Sequence, residues 1–77
     1  MTAILCTEST NGDMRCWTTV DGLELVRAFR EAADEWRVTL IQPAESVRVV
    51  SVTCHDGDLD RLAGMHCRGA LAVRAAE

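Results

Sequence analysis

Between Asp21 and Trp36 the apolar residues recur at a spacing that limits what this chain can become. Leu25, Val26, Phe29, Ala32, Ala33 and Trp36 fall on one side of a 3.6-residue wheel. Glu24, Arg27, Glu31, Asp34 and Glu35 fall on the other. The pattern predicts an amphipathic helix over residues 22–36. Asp21 and Glu24 stand in the relation of a capping box at its start. Leu23 falls on the polar side and has no place in this reading. A helix with one apolar stripe must bury it against a second layer.

The second layer is expected to be a sheet. Val47 to Cys54 is the best strand, rich in β-branched residues. Arg37 to Ile41 alternates and pairs with it across a turn at Pro43. Near the N-terminus, Asn11-Gly12 separates two short runs and signals a hairpin. A two-residue turn there sets Glu8 across from Arg15, and Cys6 across from Trp17. A short second helix is expected around Leu59, Leu62, Ala63 and His66, capped by Asp56 or Asp58 and stopped by Gly69. Ala70 to Ala75 reads as a last strand.

The fold class that follows is α+β, a two-layer sandwich over residues 1–77. Its sheet is mainly antiparallel, with four to five strands and two helices on one face. The order is ββαββαβ, which is ferredoxin-like from Met14 onward. A real N-terminal hairpin conflicts with that order, because its first strand needs an edge that the ferredoxin-like sheet already uses. With 77 residues the chain makes one domain with a modest core, and a homodimer is a natural way to add to it. No run of apolar residues is long enough to cross a membrane. The first residues lack the basic and apolar regions of a secretory signal, so the expected location is cytoplasmic.

The net charge is −4, and all eight basic residues are arginines scattered along the chain. Such a chain repels phosphate backbones, so no direct contact with nucleic acid is expected. The four cysteines have no Cys-x2-Cys spacing, and metal binding would need Cys54-His55 and His66-Cys67 to converge. Buried thiols that pack as small hydrophobes explain them better. The same residues supply the types for a cysteine nucleophile and its base, but a chain of this composition supplies them by chance. Asp56, Asp58 and Asp60 lack the glycine and glutamate positions of a calcium loop. No cofactor, metal or catalytic residue is expected.

What remains is a surface. Glu24, Glu31, Asp34 and Glu35 on the first helix, with Asp56, Asp58 and Asp60 at the second, predict one acidic face. Trp17, on a sheet face without a covering helix, is expected to be exposed and to anchor a partner or a second copy. These features suit a non-enzymatic module that engages a basic, nucleic-acid-binding protein. In size and charge, though in no motif, the chain is similar to anti-CRISPR proteins. That likeness implies a small inhibitor or adaptor of phage or mobile-element type. The alternatives are a metal- or thiol-dependent protein built on the Cys-His pairs, and a small ligand-sensing regulatory domain.

Overall fold

The computed structural model describes residues 6–42 and 47–76, with side chains over 12–42 and 47–72. The turn expected at Pro43 and the run before Cys6 lie outside the described residues. Five strands come first: β1 (Cys6–Asn11), β2 (Met14–Thr19), β3 (Glu24–Ala32), β4 (Glu35–Gln42) and β5 (Arg48–His55). A single 3-10 turn (Asp56–Asp58) leads into one helix, α1 (Leu59–Ala76). The strands pair in chain order, each antiparallel to the next, so β1 and β5 are the two edges. The α+β class and the antiparallel sheet stand. The second helix and the ferredoxin-like order do not, because a meander has no crossover.

The expected helix over 22–36 is instead a hairpin. Ala32 pairs with Glu35, and only Ala33 and Asp34 turn the chain. Asp21 is not a helix cap. It accepts a hydrogen bond from the Thr19 hydroxyl inside the β2–β3 turn. Gly22 closes that turn by donating its N–H to the Thr19 carbonyl at 3.0 Å, with φ at 90°, which glycine alone adopts readily. Two register shifts then hide the two-residue period of β3. Leu25 and Val26 both stand opposite Trp17, and both are fully buried. Glu31 is likewise the extra residue between the pairs Arg30–Trp36 and Ala32–Glu35.

The N-terminal hairpin forms, with its register moved by two residues. Gly12 and Asp13 make the loop, Asn11 pairs with Met14, and Glu8 stands opposite Trp17. Gly12 has φ at 61° in the first loop position, where a type II′ turn needs glycine. At the other end of the chain, α1 runs through Gly69 and absorbs the strand expected at residues 70–75.

One face of the sheet carries the core. Trp17, Val26, Ala28, Trp36 and Val38 meet Leu59, Ala63, Cys67 and Ala70 of α1. The helix residues Ala63, Cys67 and Ala70 recur at i, i+4 and i+7 and are all small, which lets the helix backbone approach the sheet closely. The helix lies over β3 and β4. Phe29, expected in the buried stripe, is on the opposite face of the sheet and is 44% exposed. Trp17, expected to be exposed, is 7% exposed beneath the helix side. Among the described residues no helix is long and apolar enough to cross a membrane.

Candidate functional site

An antiparallel meander brings alternate turns to the same end. The loop at Gly12-Asp13, the turn at Ala33-Asp34 and the junction after His55 therefore share one end of the sheet. Contacts across them confirm it. The Arg30 N–H donates to the Asp13 carbonyl at 2.8 Å, and the Asp56 N–H donates to Asp34 Oδ1 at 3.1 Å. Arg15 Nη2 reaches Asp60 Oδ1 at 2.5 Å, tying β2 to the first turn of α1.

Trp36 and Arg30 set the geometry of this end. Trp36 is 1% exposed, and its indole N–H donates to Asp56 Oδ1 at 2.8 Å. The Arg30 guanidinium lies over the Trp36 ring, 4.6 Å from its centre. From there it donates to the Ala33 carbonyl at 2.8 Å and faces Asp13 at 3.5 Å and Asp56 at 3.6 Å. One stacked arginine thus holds the three chain segments in register.

The residues expected to form an acidic face divide accordingly. Glu31, Asp34, Glu35, Asp56, Asp58 and Asp60 all lie at this end, joined by Asp13. Glu24 does not. It opens β3 at the far end, where it pairs with Arg27 at 2.8 Å. Local cations offset part of the charge: Arg37 meets Glu31 at 2.6 Å and Arg61 meets Asp58 at 3.0 Å. The His55 ring lies beside Asp34, with Nδ1 at 3.3 Å. Carboxylates outnumber arginines here, so the end is acidic. It is built from turns and a strand–helix junction, not from a helix strip. Trp17 is no part of it as an exposed anchor; Arg15 covers its ring at 4.9 Å.

The Cys-His pairs do not converge. His55 stands opposite Glu35 at the start of β4, and His66 Nε2 is 2.8 Å from the Ile41 carbonyl near its end. Six residue steps along the strand separate those two points, roughly 20 Å at about 3.3 Å per step. Among the described residues no three His, Cys, Asp or Glu side chains are grouped to hold a metal ion. Cys54 is half-buried, and desolvation pushes its thiol pKa up, with Asp58 and Asp56 adding to the shift. That environment favours the thiol over the thiolate a nucleophile needs.

A second feature was not foreseen. Because α1 covers β3 and β4, a groove of about 670 Å³ opens between α1 and β5. Leu40, Val52, Cys54, Leu62 and Met65 supply its apolar lining, and Asp58 and Arg61 add charged groups. The sequence marks β5 as a strand, but its position at the edge is a property of the topology. Compared with family models, with curated proteins and with solved structures, the chain matches none.

Proposed function

We propose that this chain is a non-enzymatic protein-binding module whose acidic end engages a basic, nucleic-acid-binding partner. The supporting observation is the assembly of carboxylates from three separate chain segments around the Arg30–Trp36 stack. Charges held in place by the scaffold need no ordering on binding, and they raise the on-rate for partners of opposite sign. The same field repels phosphate backbones, so the module competes for the partner's basic surface without binding nucleic acid itself. An inhibitor or adaptor of phage or mobile-element type, anti-CRISPR-like in character, works in this way.

The ends of the molecule supply their own control. Tagged protein is used to capture partners from nuclease-treated host extract, and the captured proteins are identified by mass spectrometry. Glu31→Arg with Glu35→Arg reverses charge at the acidic end, and Glu24→Arg does so at the far end. The expected partner is rich in arginine and lysine, is lost in the double variant and in high salt, and is kept by Glu24→Arg. Equal capture by the double variant and the wild type would overturn the reading.

A further inference from the structure

Among the described residues, and apart from the charge of Arg48 at its start, the β5 edge carries few of the devices that usually keep an edge strand from pairing. Its eight residues, Arg-Val-Val-Ser-Val-Thr-Cys-His, contain no proline and no lysine, and its register with β4 runs unbroken from Gln42–Arg48 to Glu35–His55. Val49 and Val50 are 60% and 54% exposed. The other edge, β1, reads Cys-Thr-Glu-Ser-Thr-Asn and is shorter and polar. Beside β5 lies the apolar groove, walled by α1 on one side only, with Met65 on α1 59% exposed.

We propose that β5 pairs antiparallel with β5 of a second copy of this chain, joining two sheets into one across a two-fold axis. Two properties of the strand select a second copy as the occupant. The first is charge. β5 begins at Arg48 and runs into the acidic turn Asp56–Asp58, so its two ends have opposite sign. Antiparallel pairing sets each end against the opposite end of the partner. Parallel pairing would set like against like.

The second property is the alternation of faces. A two-fold axis perpendicular to the sheet keeps both helices on one face, so opposed residues must both be odd-numbered or both even. With the axis at Val52, Val50 meets Cys54 of the partner subunit, and Arg48 reaches the partner's Asp56. On the other face Ser51 meets Thr53 of the partner subunit, a favourable hydroxyl pair. Each groove then gains its missing wall from the other copy. The strand offers roughly 27 Å of ladder at about 3.4 Å per residue. The interface is isologous, so it closes at two copies and leaves the polar β1 edges outside. This inference does not rest on the acidic-end reading, although it uses Asp56 of that end, and its variants leave Glu31 and Glu35 untouched.

The test combines light scattering behind size exclusion, from micromolar to millimolar chain, with hydrogen exchange at each concentration. A dimer is expected, with exchange protection in β5 that grows with concentration. Val50→Lys should weaken the dimer by about a hundredfold or more, because it places a charge on the pairing edge twice. Arg48→Glu, at an exposed position, should weaken it by about tenfold. A circular-dichroism melt checks that each variant is folded, and Arg48→Glu keeps the test open should Val50→Lys unfold. A monomer throughout the range overturns the proposal. So does a dimer that both variants leave unchanged, or one whose protection falls on β1. Protection of β5 that appears only when a different protein is added also overturns it, in favour of a strand from that partner.

Discussion

Trp36 shows how one residue can serve the core and the surface together. Its ring fills the space between sheet and helix, while its N–H and its ring face organise Asp56 and Arg30. Cys54 sits one position further on the same face, opposite Trp36 on β5, and records the field that results. Desolvation is the main cause of its raised pKa, followed by Asp58 and Asp56. The sign follows from linkage. A folded-state thiol pKa above the unfolded value stabilises the fold below the unfolded pKa, and this is lost as pH rises through the folded pKa. Alkylation of Cys54 by iodoacetamide, followed peptide by peptide, should therefore be slow near neutral pH and speed up only on the alkaline side. Asp58→Asn should move the reaction toward lower pH, and Glu24→Gln, at the far end, should not. An alkylation profile that Asp58→Asn leaves in place would remove the carboxylates from the explanation.

At the scale of elements, the hairpin β3–β4 is the sharpest test of the fold. Were residues 22–36 a helix, Phe29→Ala would empty its buried stripe and cost about 3–5 kcal/mol. On β3 the ring is on the open face and half in water, so the loss should be about 1 kcal/mol by area. A denaturant titration separates the two. The helical reading failed for physical reasons. The extra residues Leu25 and Glu31 shift the strand's phase, and Phe29 is apolar although it faces solvent. Arg30 points to the core face because it can lie along Trp36. The turn at Ala33-Asp34 has no glycine or proline. Asp21-Gly22 is itself a hairpin signal, as Asn11-Gly12 is. The N-terminal hairpin and β5 were legible because their turn residue and β-branched content act locally. The acidic residues were also named from sequence, apart from Asp13, but only strand order shows that Glu24 stands away from the rest. Gly69 misled in the other direction. It lies in the interior of α1 at an exposed position, and a Cβ there would meet nothing within 4 Å. Gly69→Ala should thus raise stability, by about 0.4–1 kcal/mol. Destabilisation would restore a helix stop at that position.

For the whole molecule, the question is whether the sheet can exist without α1. A domain of this length holds only about 4–12 kcal/mol in all, by the usual amount per residue. The sheet has one apolar face, and α1 is the only described element that covers it. Trp36, Val38, Val26 and Ala28 would all meet water without the helix. The helix in turn has small residues on its contact face and two interior glycines, so it has little reason to form alone. Each layer therefore depends on the other, and the two should unfold together. Ala63, fully buried on the contact face, is the position at which to break them apart. Ala63→Glu places an unpaired carboxylate between the layers, at a cost of several kcal/mol. That is comparable to everything the domain has. In the wild type, tryptophan fluorescence, which reports on Trp17 and Trp36 in the sheet, and far-ultraviolet circular dichroism, which reports on α1, should give one midpoint in urea. Ala63→Glu should move both midpoints down together or leave no folded baseline in either signal. A variant that lost the helical signal yet kept buried tryptophans would mean that the five-stranded sheet is stable alone. Edge pairing at β5 extends the sheet in its own plane and leaves the apolar face open, so such a variant should instead associate face to face through that surface.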